Sequence, residues 1–218
     1  MNVLMVSTDR RILEEGSPAR ARMVEYGTIC DELHIVVASV GGEKRTVQIA
    51  KNVFIHPTAS CCKLFSRLSL FSSKNLITSD LVTTQDPFET GLIAWLIAKK
   101  TKAKLQLQIH TDFLSPYFAK ESILNKIRVL IAKFILPKAD CIRVVSRRIS
   151  DSLTANNYKL KAVPAVLPIF VDMEKIQNAS LAFDLHKKYP QFDFIILMAS
   201  RLSKEKNIGT DIFFFRQA

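Results

Sequence analysis

The side chains best spaced for chemistry sit where apolar runs give way to polar loops. Near the end of the chain, Ile195-Ile196-Leu197-Met198-Ala199-Ser200 breaks into Arg201-Leu202-Ser203-Lys204-Glu205-Lys206-Asn207. An apolar run of strand length that delivers cations at its C-terminal end is a usual way for an open α/β sheet to meet a phosphate-bearing ligand. Arg201, Lys204 and Lys206 therefore read as anion-binding groups. Upstream, Gln108-Ile109-His110-Thr111-Asp112 puts a polar cluster at the expected end of another buried strand, a place suited to sugar or leaving-group contacts. A second reading stays open there, a histidine satisfied by loop backbone at the sheet edge. The loop over 9–17 carries Arg10, Arg11 and Gly16 into Ser17-Pro18, a Ser N-cap followed by Pro at the first helical position. The helix N-terminus it leads to is an available anion site, although by itself the loop reads as solvated. In Gln85-Asp86-Pro87-Phe88-Glu89-Thr90-Gly91, Asp86 reads as the cap of a helix opening at Pro87.

Other chemistries find no pattern. There is no G-x-G-x-x-G, no G-x-x-x-x-G-K-[ST], no H-E-x-x-H and no nucleophile elbow, and the six glycines are scattered. His34, His56, His110 and His186 make no ligand cluster, so neither a metal nor a cofactor is expected. Cys30, Cys61, Cys62 and Cys141 include no C-x-x-C pair and read as reduced thiols of a cytoplasmic protein. The opening residues read as a strand rather than a leader, and no apolar run has transmembrane length. The expected location is the cytoplasm, or the inner face of the cell membrane as a peripheral protein.

Lys and Arg outnumber Asp and Glu by 31 to 20, a net +11 that calls for anionic partners. Nucleic acid is not expected, because no binding motif is present and the phenylalanines fall in apolar runs. A helix over 61–76 would put Leu64, Leu68 and Phe71 on one face and Lys63, Arg67 and Lys74 on another, so an anionic membrane surface is weighed against packing on the sheet. A second amphipathic helix, over 122–136, aligns Ile123, Ile127, Leu130, Ile131 and Phe134, and here packing on the sheet is the expectation.

The elements that must position these residues alternate regularly. Strands are expected at 3–6, 33–39, 80–84, 105–110 and 141–145, shorter extended pieces at 46–50 and 53–56, and a Gly41-Gly42 turn. Helices are expected from Ser17 to about Cys30, from Pro87, over 122–136 and over 147–156. Strand, loop and helix in this rhythm define an α/β fold, a Rossmann-like doubly wound parallel sheet over 1–165. Pro164 and Pro168 then open a linker and connecting helix over 166–190, with helix around 179–188. Residues 191–218 begin a second Rossmann-like unit: strand, cationic loop, helix.

Five stretches together resemble the N-terminal half of a GT-B glycosyltransferase, most like family 4. They are Val3-Leu4-Met5-Val6-Ser7 with its loop and the Ser17-Pro18 helix; the 85–91 segment; Gln108-Ile109-His110-Thr111-Asp112; Ala139-Asp140-Cys141-Ile142-Arg143-Val144-Val145-Ser146; and Ser200-Arg201-Leu202-Ser203-Lys204-Glu205-Lys206-Asn207, which looks like the family's R-L-x-x-E-K-[GN] loop. The resemblance implies transfer of a sugar from a nucleotide-activated donor to a glycan or lipid-linked acceptor, with retention of configuration and no bound metal. It implies that Arg201 and Lys206 neutralise the donor diphosphate, that His110 is the catalytic-side histidine facing the donor sugar, and that Gly16 and Ser17 belong to the loop closing over the phosphates. Two departures stand out: Leu167-Pro168-Ile169-Phe170-Val171-Asp172 replaces the family's P-N-G-V-D, and the E-x7-E acids of the donor domain have no counterpart. The expectation is a chain weakly active or inactive by itself, with a non-catalytic module that binds acceptor or membrane surface as the alternative.

Overall fold

The computed structural model describes residues 1–38, 45–58, 79–156, 158–180, 183–200 and 209. The expected Gly41-Gly42 turn, the 61–76 segment with Lys63, Arg67 and Lys74, and the loop residues Arg201 and Lys206 lie outside the described residues.

The strands are β1 (Asn2–Ser7), β2 (Glu32–Ala38), β3 (Val47–Ala50), β4 (Val53–Thr58), β5 (Leu81–Thr84), β6 (Lys104–Ile109), β7 (Cys141–Val144) and β8 (Ala165–Val166). They form one sheet in the order β3-β4-β2-β1-β5-β6-β7-β8, parallel except for the antiparallel β3–β4 pair. Successive side chains of a strand face opposite sides, and in β1 both sides are buried. Val3 and Met5 join a cluster with Leu33, Ile35, Val53 and Ile55, closed by Ala19 and Met23 of α1 (Pro18–Gly27). Leu4 and Val6 join the opposite cluster with Val82, Leu105, Leu107 and Ile142. That cluster is closed by Ile93, Ala94 and Ile97 of α2 (Glu89–Thr101), Ala132 and Ile135 of α4 (Ile123–Ile135), and Ile149 and Leu153 of α5 (Arg147–Ala155). Burial on both faces explains why β1 and β2 read as nearly unbroken apolar runs, whereas β6 alternates with Gln106 and Gln108. The short α3 (Pro116–Glu121) leads into α4 through Ser122, whose hydroxyl accepts from Asn125 N–H at 3.1 Å.

Several details of the first unit differ from the sequence reading. The first helix stops at Gly27, three residues before Cys30. The helix expected at Pro87 begins at Glu89, because the Asp86 carboxylate accepts from Phe88 N–H at 2.8 Å and holds 86–88 in a turn. The start of the presumed linker is part of the sheet: Ala165 and Val166 pair with Arg143 and Val144 as an edge strand. Finally, α4 does not lay most of its apolar face on the sheet; of that face Ile131 packs in part on the core, Ile123, Ile127, Leu130 and Phe134 are exposed, and Asn125, Ala132 and Ile135 are buried instead.

The chain divides into two compact units, Met1–Ile169 and Phe170–Ala218. The second holds α6 (Met173–Gln177) and α7 (Leu185–Lys188), the latter capped by Asp184, which accepts from His186 N–H at 2.9 Å. The helix expected around 179–188 is thus a single turn at its end. The strand expected at 195–200 is not formed. A strand is held by hydrogen bonds to a neighbouring strand, and the described residues of this unit include none, so Phe194, Ile196 and Leu197 are exposed.

Candidate site at the C-terminal edge of the sheet

From β1 the chain moves to β2 on one side, and β5 takes the other side. That reversal makes the crevice beyond the C-terminal ends of β1 and β5 the place where an open α/β sheet receives a ligand. Ser7 ends β1 fully buried, and its hydroxyl donates to Gln85 Oε1 at 3.3 Å across the crevice floor. The same oxygen accepts from Asp9 N–H at 3.1 Å, which turns the chain upward into the 9–17 loop.

Asp9 accepts from Arg11 N–H at 3.0 Å and starts a short 3-10 turn over Arg10–Leu13 whose Ile12 is fully buried. The loop expected to be solvated is therefore pinned at its centre. Gly16 follows with φ +73, a left-handed conformation that side chains disfavour. Ser17 caps α1 by accepting from Arg20 N–H at 3.1 Å and donates its own proton to Arg11 O. The proton of this hydroxyl is already given to Arg11 O, so what Gly16 and Ser17 can offer an anion is the backbone of the helix entry.

Asp86 lies beyond β5. Burial pushes its carboxyl pKa up, against the opposing pull of its bonds with Thr90 and Phe88 N–H. Gly91 permits a close approach here, since a Cβ on it would stand 3.0 Å from Asp86 O. Across the crevice, His110 leaves the end of β6 as an exposed residue. Its imidazole pKa is lowered, first by the protein packed on one side of the ring and then by the Arg143 charge, with Asp86 acting the other way. The ring is accordingly neutral near pH 7, able to donate one hydrogen bond and accept another.

The rest of the Gln108–Asp112 cluster anchors the loop. Asp112 accepts from Arg148 of α5, and Phe113 is buried edge-on against Phe88 with centroids 5.7 Å apart. Arg143 donates to Gln108 Oε1 at 3.0 Å and to Leu167 O at 3.1 Å. The structure thus brings His110, Asp86 and Arg143 into one electrostatic group, from the ends of three adjacent strands. Arg143 was invisible as a site residue in the sequence, where it is one basic residue inside an apolar strand. Gln85 carried a signal, as a polar group directly after a strand. Among the described residues no group of three or more His, Cys, Asp or Glu could hold a metal ion. None of the described helices is long and apolar enough to cross a membrane.

No family model matches this sequence, and no curated protein matches it. Solved structures do. Apo UGT2 of Phytolacca americana superposes with a TM-score of 0.52 at 10% identity, over 81% of this chain and 54% of that one. UDP-N-acetylglucosamine 2-epimerase superposes with a TM-score of 0.42 at 15% identity, over 72% of this chain and 43% of that one. The likeness to UGT2 is one of fold: a Rossmann-like, doubly wound sheet of the GT-B kind. The chain spans about half the length of each of these structures.

Proposed function

We propose that this chain supplies the acceptor-side half of a GT-B glycosyltransferase, similar to family 4, that moves a sugar from a nucleotide-activated donor to a glycan or lipid-linked acceptor. The observation that carries this reading is His110, an imidazole at the C-terminal end of β6 kept neutral first by burial and then by the Arg143 charge, against the pull of Asp86. A neutral ring suits a sugar hydroxyl, because it binds without adding a desolvated cation at the reacting centre. The fold shared with UGT2 supports the same reading, and so does the family-like loop over 200–207.

In this proposal Arg201 and Lys206 neutralise the donor diphosphate as the glycosyl bond breaks, the point at which negative charge grows on the leaving group. Gly16 and the Ser17 helix entry close over the phosphates through backbone N–H groups. No metal is assigned a role.

The test is titration of the purified chain with a panel of nucleotide sugars and the matching free nucleotides, followed by calorimetry and by the His110 ring resonances. A matching donor is expected to bind weakly, because the family's E-x7-E acids have no counterpart in this sequence, and to shift those resonances. Arg201→Gln with Lys206→Gln should weaken binding at least about ten-fold. His110→Ala should retain binding and lose any donor cleavage. Binding indifferent to the two cation substitutions, or no binding across the panel, would overturn the assignment.

A further inference from the structure

We propose that the outward face of α4 docks on an anionic lipid bilayer, with the protein lying on the surface rather than spanning it. At 100° per residue, Ile123, Ile127, Leu130 and Phe134 fall within about 60° of one another. They point away from Ala132 and Asn125, which are buried. Ile123 is 76% exposed, Leu130 67% and Phe134 50%. A helix on the surface of a globular fold normally turns its polar side to water; this one packs Ala132 and Ile135 inward and still shows water an apolar stripe. Two of its polar side chains, Asn125 and Arg128, turn inward instead. Asn125 donates to Glu121 at 3.1 Å, and Arg128 Nε donates to both carboxylate oxygens of Glu89 at 2.9 and 3.2 Å.

Charge selects the occupant. Lys126 and Lys133 flank the stripe along one side, about 60° and about 80° from its first residue on the helical wheel. At its C-terminal end, Lys138 Nζ stands 3.6 Å from the Phe134 ring centroid and 5.6 Å from that of Trp95, and Lys99 Nζ is also 5.6 Å from Trp95. An apolar stripe rimmed by lysines and a tryptophan is the composition of an interfacial helix, whose lysine stems lie on apolar surface while their heads reach lipid phosphates. Of the nearby carboxylates, Glu89 is paired with Arg128 and Asp140 with Lys161, and Glu121 accepts from Asn125. A second copy of the chain docked here by a two-fold axis would bring the same lysines together, which disfavours that occupant.

The inference does not depend on sugar transfer, since vesicle binding needs no donor; either can fail while the other stands. Trp95 is the only tryptophan in the chain, so its emission reports the surface directly. With phosphatidylcholine vesicles containing phosphatidylglycerol, the emission should shift to the blue and the protein should float with the lipid, and both should weaken as salt is raised. Lys126→Gln and Lys133→Gln should each lower the partition coefficient about five-fold. Ile127→Gln with Leu130→Gln should lower it by at least about ten-fold. All four side chains are exposed, and unchanged thermal melts would confirm intact folds. Equal binding to pure phosphatidylcholine, binding untouched by these substitutions, or a concentration-dependent dimer dissolved by the Ile127/Leu130 pair would each overturn the proposal.

Discussion

Arg148, in the first turn of α5, donates from Nη2 and Nε to the same carboxylate oxygen of Asp112, at 2.8 and 3.2 Å. The pair ties the loop after β6 to the helix after β7, and His110 is two residues away. Arg148 itself is largely exposed, and exposed ion pairs contribute no more than about 1 kcal/mol. Arg148→Ala should therefore leave the urea midpoint nearly unchanged. Its effect should appear in the backbone resonances of 110–112, as the loop loses its tether. A large loss of stability would show that the pair does more than position the loop.

Phe113 holds the other end of the same loop. It is 1% exposed and packs on Phe88. Phe113→Ala removes a buried ring and should cost about 3–5 kcal/mol in chemical denaturation. A cost below about 1 kcal/mol would mean that the loop, and His110 with it, is not anchored by this contact.

A pH effect is expected away from the site. His56 has its pKa lowered from 6.5 to about 4, by burial first and then by the charge of His34, whose Nδ1 lies 3.0 Å from His56 Nε2. In the unfolded chain His56 takes up its proton near 6.5, whereas the folded protein resists until about 4. Across that window the unfolded state binds more protons, so stability falls as the pH is lowered from 6.5 towards 4. His56→Gln should flatten this dependence in unfolding measured at a series of pH values. An unchanged slope would place the proton uptake elsewhere.

Gly27 ends α1 against β4, where Asn52 Nδ2 donates to Gly27 O at 2.7 Å. A Cβ on Gly27 would meet Val53 Cγ2 at 2.4 Å, and Val53 is itself fully buried. Gly27→Ala should destabilise by about 1–3 kcal/mol despite the better helix propensity of alanine. Gly16→Ala is the contrasting case. It has open space around it, so its cost should be the backbone strain at φ +73 alone, about 1–2 kcal/mol in the same measurement.

Much of the first unit was legible in the sequence, because the cues are local. Val3–Val6 and Leu33–Val37 announce strands buried on both faces, and Ser17-Pro18 announces a helix entry that the structure reproduces with its capping bond. His110 was placed at a strand end by the break from Ile109 into polar residues, and it lies there. Arg143 was not legible, because its relation to His110 is made by the neighbouring strands β6 and β7, joined across more than thirty residues of chain.

Amphipathicity misled for α4 for a related reason. A helical wheel fixes which residues share a face, and Ile123, Ile127, Leu130 and Phe134 do share one. It carries no information on which way that face turns. The inward direction was decided by Ala132 and Ile135 packing on the sheet cluster and by Arg128 reaching Glu89 of α2.

The cationic stretch shows the same division between chain and fold. The sequence by itself determined the order of apolar run and cations from Ile195 to Lys206, and the α/β rhythm before it, since both depend on residue type and spacing. Whether an apolar run becomes a strand depends on a partner for its backbone hydrogen bonds, which no local pattern contains. Tertiary structure supplied that partner to Ala165 and Val166 through β7, and did not supply it to residues 195–200.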